Sequence, residues 1–196
     1  MTRWGEYYAL ADTAPRETLL EALARHESET RPAGVAVDLG CGAGRDTHEL
    51  LRRGWHVLAI DGEPQAIELL RAHPEAEAAV GRLETVVAPF QEASLPEADL
   101  VNASFALPFC TPEEFACTWA RIVGALRRGG RFAGQLFGVN DSWAGSEGMT
   151  FHTRADVDRL LDGLDAERLE EVERDGTTVR REAKHWHVFH LVVRKP

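Results

Sequence analysis

The chain has 196 residues, of which 44% are hydrophobic, and its formal net charge is -10. This length and apolar content predict one globular domain with a substantial core. The acidic excess disfavours nucleic acid as a partner, because phosphate binding needs clustered Lys and Arg. No apolar run approaches the roughly 20 residues of a membrane span, and the N-terminal "MTRWGEYYALADT" lacks the pattern of a signal peptide. Cys41, Cys110 and Cys117 have unrelated spacings, which favours reduced thiols in a cytoplasmic protein over disulfides or a zinc site.

The predicted elements alternate between amphipathic helices and apolar strands along the whole chain. In order they are a helix at 13–27, a strand at 34–39, a helix at 45–53, a strand at 55–61, a helix at 63–73, strands at 83–90 and 98–105, a helix at 111–130, a strand at 131–138, a helix at 153–164, and strands at 166–176 and 184–195. Such alternation predicts an α/β domain built on a mainly parallel sheet.

The clearest helix signals belong to the segment at 111–130. Thr111 and Glu114 have the spacing of a capping box, Pro112 suits the first helical position, and a glycine pair closes the segment. Thr153 is the predicted cap of the later helix.

The most informative motif is "VAVDLGCGAGRDTHELL" at residues 35–51. Gly40, Gly42 and Gly44 follow a strand and precede a helix, so backbone N–H groups and the helix N-terminus would face a ligand at the carboxyl edge of the sheet. The spacing is G-x-G-x-G after Asp38, whereas a dinucleotide fingerprint would need a third glycine at Arg45. The chain also contains no P-loop string.

A second acid, Asp61, ends the next strand, where a carboxylate can accept hydrogen bonds from a ribose diol. The acid, the glycine loop and the second acid together resemble the class I S-adenosylmethionine-dependent methyltransferases. The segments "LPEADLVNASFAL" and "LRRGGRFAGQLF" look like strands four and five of that family, and "DLGCGAGRDTHELLRRGWHVLAID" is especially similar to its small bacterial thiopurine- and tellurite-resistance-type subgroup. The resemblance implies a Rossmann-like, seven-stranded, mostly parallel sheet with helices on both faces and an antiparallel C-terminal strand.

The resemblance also implies S-adenosylmethionine as cofactor and S-adenosylhomocysteine as product. Asp38 would orient the glycine loop and the methionine amino group, and Asp61 would bind the ribose. The other residues that would line the cofactor are Gly40, Cys41, Gly42, Gly44, Gly62, Ser104 and Phe105. Many family members hold the adenine with an Asp after strand three, but "VAPFQEA" has none, so Phe90 and Gln91 are the predicted adenine contacts.

The predicted domain is single and has four parts: a lid and helix at 1–32, the cofactor-binding core at 33–137, a substrate loop at 138–153, and a C-terminal helix and strand pair at 154–196. Its predicted substrate wall consists of Trp4, Tyr7, Tyr8, Phe109 and Trp143. In related enzymes an aromatic N-terminal segment folds over the cofactor. The alternative is that these N-terminal rings pack on the sheet edge.

His152 and Asp141, both in the substrate loop, are the candidate catalytic residues. Histidine is the side chain most easily tuned for proton transfer near neutral pH, although His152 could equally be a helix-start or surface residue. Cys41 sits near a helix N-terminus, which can lower a thiol pKa, but we predict that it is a small packing residue.

Three acceptor classes are disfavoured by the residues after strand four. Enzymes that methylate base amines carry [DNS]-P-P-[YFW] there, whereas this chain has "ALPF" without the polar first residue. Metal-dependent catechol-type enzymes need an acid at this place, and protein-arginine enzymes need two glutamates; neither is present. A small-molecule or inorganic acceptor remains.

Three histidines lie in the last predicted strand, where His185 and His187 share one face and His190 points the other way. Two same-face histidines could bind a metal, but no third ligand is placed by the sequence, and we predict no metal.

The sequence therefore predicts methyl transfer from S-adenosylmethionine to a small-molecule or inorganic acceptor by in-line displacement. The expected protein is a cytoplasmic monomer or homodimer with no nucleic-acid or membrane partner. Two alternatives stay open: a cofactor-binding sensor or scaffold without transfer activity, and an NAD(P)-binding oxidoreductase, which Arg45 disfavours.

Overall fold

A mixed β-sheet runs through residues 14–196, the part of the chain that the computed structural model describes. Its strands are β1 (Val35–Leu39), β2 (His56–Asp61), β3 (Leu83–Val87), β4 (Ala98–Ala103), β5 (Leu126–Gly138), β6 (Phe151–His152), β7 (Asp165–Thr177) and β8 (Ala183–Arg194). They are ordered β3-β2-β1-β4-β5-β8-β7, and β6 pairs with β5 off this path. Trp4, Tyr7 and Tyr8 lie outside the described residues.

Strand direction follows the prediction. β1 to β5 are parallel to one another, while β8 is antiparallel to both β5 and β7. The seven long strands confirm the predicted Rossmann-like sheet with its reversed C-terminal strand. The two-residue β6 is an additional strand that the sequence analysis did not predict; it pairs Phe137 and Gly138 with Phe151 and His152. Because the chain crosses from β3 over β1 to β4, a crevice opens at the carboxyl ends of β1 and β4.

Helices cover both faces of this sheet. The α-helices are α1 (Glu17–Ser28), α2 (Arg45–Arg52), α3 (Pro64–Arg71), α4 (Pro74–Ala78), α5 (Pro112–Ala125) and α6 (Arg154–Leu160), with a 3₁₀ turn at Leu107–Phe109. One buried cluster contains Leu19, Leu50 and Ile67, from α1, α2 and α3. The cluster on the other face contains Phe115 from α5 and Val157 from α6. The amphipathic patterns therefore pack these helices as expected.

One short helix was not predicted, and one predicted helix end was wrong. The helix predicted at 63–73 ends before Pro74 as expected, at Arg71, and the separate helix α4 then begins at Pro74. The helix predicted at 111–130 ends at Ala125, because Leu126 is already extended and starts β5. Gly129 has a φ of +76°, and a Cβ at Gly130 would lie 2.9 Å from the carbonyl oxygen of Arg127. The glycine pair thus lies within the long strand, where the pairing of β5 with β4 shifts register, and does not stop a helix.

The capping residues are as predicted. Thr111 accepts a hydrogen bond from the Glu114 amide, and the Glu114 carboxylate accepts one from the Thr111 amide. Thr153 and Asp156 form the same box at the start of α6. Among residues 14–196, no helix is both long and apolar enough to cross a membrane.

Candidate functional site

The loop between β1 and α2 has a backbone that only glycine adopts readily. Gly40, Gly42 and Gly44 have φ angles of +64°, +54° and +91°. The amides of Gly40 and Cys41 both donate to the carbonyl oxygen of Ile60, at 2.8 and 3.1 Å, which ties the loop to the end of β2. The loop is therefore a fixed part of the sheet edge.

Space as well as conformation requires glycine in this loop. A Cβ at Gly40 would lie 2.6 Å from the Cβ of Ala106, and one at Gly44 would lie 2.7 Å from both His48 and Leu70. Gly44 thus allows α2 and α3 to approach each other. Gly40 allows the segment after β4 to approach the loop.

A cavity of about 1,560 Å³ opens at the carboxyl edge of the sheet, beside this loop. It brings together most of the predicted site residues: Gly40, Cys41, Gly42, Asp61, Gly62, Phe90 and Gln91 toward β1, β2 and β3, and Ser104, Phe105, Phe109 and Trp143 toward β4 and β5. Asp38, Gly44, Asp141 and His152 are not among the residues that line it.

Asp61 is the carboxylate that the cavity wall presents at the end of β2. Its Oδ2 accepts a hydrogen bond from the Gly42 amide at 2.8 Å, and its Oδ1 accepts one from the Glu63 amide at 2.9 Å. The same side chain therefore holds the glycine loop and faces the cavity.

Asp38 has a different surrounding from the one predicted. It is buried, and it accepts hydrogen bonds from Thr47 Oγ1 at 2.6 Å and Asn102 Nδ2 at 2.8 Å. Burial, and next the negative charge of Asp46, raises the pKa of Asp38 to about 7. Asp38 thus joins α2 to β4 behind the loop and supports the loop from beneath.

Asp46 completes this buried polar network. It accepts a hydrogen bond from the Arg16 amide at 3.0 Å and a second from Asn102 Nδ2 at 3.2 Å. Burial acts to raise the pKa of Asp46, but the charge and hydrogen bonds of Arg45 outweigh it, so the pKa is lowered. Of the two neighbouring acids, Asp46 is the one that stays ionised.

Cys41 is confirmed as a buried free thiol. Burial, and then the charges of Asp38 and Asp61, raises its pKa well above the usual range. The thiol is therefore protonated and packs in the apolar cluster with α1 and α2.

The proposed role of His152 as a base is wrong. Its ring turns into the core, where it packs 4.5 Å from the ring of Phe115. Its Nε2 is buried without a hydrogen-bond partner among residues 14–196. Burial, partly opposed by Asp156, lowers the pKa of His152 to about 4. The short pairing of β6 with β5 was invisible in the sequence, and it is this pairing that directs His152 away from the cavity.

Asp141 is also not a catalytic residue in this structure. It is fully buried in an ion pair with Lys184, and it accepts hydrogen bonds from the amides of Trp143 and His187 at 3.0 and 3.2 Å. Its carboxylate is thus committed to anchoring the substrate loop on β8.

The floor and one wall of the cavity consist of residues that were not predicted from the sequence as site residues. Phe137 and Gln135 on β5, and Trp186, Val188 and His190 on β8, line it. So do residues of the β7–β8 hairpin: Arg168, Glu170, Val172, Arg174, Thr177, Thr178, Val179, Arg180 and Glu182. Alternation along β8 was visible in the sequence and placed His190 opposite His185 and His187, as observed. The sequence did not show that the face of β8 that carries His190 closes this cavity.

The other two histidines of β8 have carboxylate partners. His185 contacts Asp175 at 2.8 Å and Glu173 at 3.1 Å, and His187 Nε2 lies 2.9 Å from Glu171. Among the residues that the structure describes, no group of three or more His, Cys, Asp or Glu could hold a metal ion.

A family model and several curated proteins are similar to part of this chain. A model of the family described as "Methyltransferase domain" matches residues 36–130, which include the glycine loop, Asp61 and the end of β4. Carboxy-S-adenosyl-L-methionine synthase from Cronobacter sakazakii is 27% identical over 131 residues, covering 64% of this chain and 53% of that protein. The chain spans about half the length of the curated relatives it matches.

Solved structures share the fold across nearly the whole chain. TehB from Haemophilus influenzae has a TM-score of 0.74 at 16% identity, over 90% of this chain and 62% of that one. The 1,6-didemethyltoxoflavin-N1-methyltransferase of Burkholderia thailandensis, solved with 1,6-didemethyltoxoflavin and S-adenosylhomocysteine, has a TM-score of 0.62 at 24% identity, over 92% of this chain and 79% of that one. At these identities the likeness shows the fold, and it confirms the fold implied by the sequence motifs.

Proposed function

We propose that this chain is a class I S-adenosylmethionine-dependent methyltransferase, whose residues 36–130 match the family model described as "Methyltransferase domain", and that it transfers a methyl group from S-adenosylmethionine to a small-molecule acceptor. The observation that carries the proposal is the glycine loop, whose bare backbone and tethered Asp61 form the wall of the large cavity at the carboxyl edge of the sheet.

The residues of this wall fit the cofactor. Gly40 and Gly42 have positive φ angles and, without side chains, present backbone to the cavity that they line, and Asp61 is held by two amides in an orientation that faces the cavity. Asp61 would hold the ribose, Gly62 would lie beside the adenosine, and Phe90 and Gln91 would contact the adenine. When bound, the cofactor supplies a methyl group that its sulfonium already makes electrophilic, so the protein does not have to activate this group.

The chain's own task is to orient an acceptor and exclude water. Ser104 and Phe105 follow β4 directly beside the loop, and the aromatic residues of the cavity continue from them toward β8. Proximity and orientation of this kind can lower a barrier by up to about 7–11 kcal/mol in well-oriented intramolecular models. An in-line approach of the acceptor from the β4–β5 side is the arrangement we propose.

The partner class follows from the same cavity. Its size suits a cofactor together with a small organic or inorganic acceptor, and no nucleic-acid or membrane partner is proposed. Three free cysteines, two of them buried, support a cytoplasmic location. We propose a monomer or homodimer.

A matched pair of glycine variants tests the proposal. Purified protein is incubated with S-adenosylmethionine and a panel of hydroxyl, thiol, amine, carboxylate and tellurite acceptors, and S-adenosylhomocysteine is measured by mass spectrometry. We expect its formation by the wild type and a loss of at least 100-fold in Gly40→Ala, because the new Cβ would lie 2.6 Å from Ala106. Gly81→Ala is the control, since Gly81 also has a positive φ of +76° but its Cβ would meet nothing within 4 Å.

Two other results would support a different function. Binding of S-adenosylmethionine without any S-adenosylhomocysteine would support a cofactor-binding sensor or scaffold. In a parallel incubation that also contains a carboxyl donor, a carboxylated form of the cofactor in the mass spectrum would instead indicate the reaction for which the curated relatives are named.

A further inference from the structure

Three residues form a row across the floor of the cavity on adjacent strands. Gln135 on β5 pairs in register with His190 on β8, which pairs in turn with Glu170 on β7. All three line the cavity. His190 is only partly buried, and its ring has no hydrogen-bond partner among residues 14–196. It therefore has its nitrogen atoms available to a ligand.

His190 is connected to the end of β4 through Phe105. The two rings meet edge-on with centroids 6.4 Å apart. Phe105 has a φ of +54°, uncommon for a bulky residue, and its amide donates to Gln135 Oε1 at 3.1 Å. Gln135 is itself held by Thr18 of α1, to which its Nε2 donates at 2.8 Å. Phe105, strained by its positive φ, thus has a fixed position between Ser104 and His190.

An aromatic wall stands next to this row. It consists of Phe105, Phe109, Phe137, Trp143 and Trp186, whose neighbouring ring centroids are 5.9–6.4 Å apart. Lys184, paired with Asp141, lies 3.6 Å from the ring centroid of Trp143 and 4.5 Å from that of Trp186. Because both indoles are braced by this buried cation, the wall presents rigid ring faces and edges to the cavity.

We propose that the acceptor is an aromatic hydroxyl compound, that its ring packs against the aromatic wall, and that His190 takes the hydroxyl proton during methyl transfer. This rests on the proposed function, because only a bound methyl donor makes the cavity a place of reaction. A hydroxyl needs a base, whereas a thiolate or carboxylate does not, and His190 is the histidine that faces the aromatic wall.

The surroundings of His190 favour its basic form, chiefly through burial. Burial, followed by the positive charge of Arg168 on β7, lowers its pKa, and Arg16 before α1 contributes in the same direction. Glu170 and Glu17 oppose the shift. The imidazole is therefore neutral at physiological pH and able to accept a proton.

As the hydroxyl oxygen bonds to the methyl carbon, the sulfur–carbon bond breaks and its electron pair returns to sulfur, while the hydroxyl proton passes to a ring nitrogen of His190. The products are an aryl methyl ether, S-adenosylhomocysteine and an imidazolium that releases its proton to solvent. The positive charge of the sulfonium thus ends on the imidazole.

Binding to the protein saturated with S-adenosylhomocysteine is measured first, by calorimetry. The probes are 2-naphthol and its saturated counterpart decahydro-2-naphthol, which carries its hydroxyl at the same position but lacks the aromatic ring and the phenolic acidity. We expect 2-naphthol to bind at least tenfold more tightly, and Trp186→Leu to reduce this preference while leaving the affinity for S-adenosylhomocysteine within twofold. Equal binding of the two alcohols, or no binding of 2-naphthol, would overturn the proposed acceptor class. Failure of S-adenosylhomocysteine itself to bind would instead refute the proposed function.

The role of His190 is tested by His190→Gln against His185→Gln, a matched control on the opposite face of β8. With 2-naphthol, His190→Gln should lower the methylation rate by at least 100-fold, the usual range for a lost general base, without changing the affinity for S-adenosylhomocysteine. With 2-naphthalenethiol, which ionises without a general base, the methylation rate of His190→Gln should fall much less. The wild-type rate should fall as the pH drops through the pKa of His190, and the variant should lack this limb.

NMR provides a readout independent of turnover and of any variant. The ring signals of His190 should shift when 2-naphthol is added to the protein loaded with S-adenosylhomocysteine. An unchanged rate in His190→Gln, equal losses with the hydroxyl and the thiol, or ring signals that do not respond would each contradict the assignment of His190 as the base.

Discussion

His152 shows that a residue can lie in a predicted functional loop without its side chain reaching the cavity. It lies in the predicted substrate loop, yet it is only 7% exposed and its ring contacts Phe115 rather than the cavity. The sequence could locate Gly40, Gly42 and Asp61 because spacing alone defines a loop and a strand end. It could not show which way the side chain of His152 turns, since that depends on the pairing of two residues with β5.

This burial makes His152 a source of acid sensitivity. Its pKa is about 4 in the folded protein and about 6.5 when unfolded. The unfolded state therefore binds more protons between these values, so stability is lost as the pH falls from 6.5 to 4, by at most about 3 kcal/mol. We expect His152→Phe to remove this loss, so that the variant gains stability relative to wild type as the pH falls.

Urea unfolding at pH 7.5, 6, 5 and 4 measures this difference. His185→Phe is the control, because His185 is paired with Asp175 and Glu173, which raise its pKa. A constant difference between His152→Phe and the wild type across this range would show that His152 is not buried in its neutral form.

At the scale of elements, features set by residues close in sequence were predicted correctly, whereas features set by contacts between distant segments were not. The capping boxes at Thr111 and Thr153 were predicted correctly, because they need only residues three apart. The end of α5 was not, because the strand that replaces its last turn is stabilised by pairing Leu126 with Ala98 on β4. Contacts of this kind depend on the order of strands, which no local pattern in this chain encodes.

The Lys184–Asp141 ion pair is the link between two elements, the loop after β5 and the start of β8. Its side chains are 1% and 0% exposed. Burial lowers the pKa of Lys184, and the hydrogen bond and charge of Asp141 act in the opposite direction. Removing one partner would leave an uncompensated buried charge or donor, which typically costs 3–5 kcal/mol.

We therefore expect Asp141→Asn and Lys184→Met each to lower the free energy of unfolding by about 3–5 kcal/mol. The double variant should be clearly more stable than the sum of the two losses implies. Arg154→Met is the control, because its pair with Asp158 is about half exposed and should be worth less than 1 kcal/mol. Additive losses in the double variant would contradict a direct link.

At the scale of the whole molecule, the cavity is built by parts far apart in sequence. The glycine loop and the ends of β2 and β4 form one side, and these were predicted from motifs. The β7–β8 hairpin forms the other side with residues such as Arg174 and Trp186. It was predicted as a strand pair, but its contribution to the site was missed because a hairpin pattern does not show what it covers.

The central claim is that this cavity binds S-adenosylmethionine through Asp61, and calorimetry tests it most directly. S-adenosylmethionine, S-adenosylhomocysteine and NADH are titrated into wild type, Asp61→Ala and Asp162→Ala, an exposed acid that does not line the cavity. Both sulfur compounds should bind the wild type and Asp162→Ala, and NADH should bind neither. Asp61→Ala should weaken binding at least tenfold, through loss of charge-assisted hydrogen bonds worth about 1.5–3 kcal/mol. Failure of both sulfur compounds to bind the wild type, or tighter binding of NADH, would contradict the account.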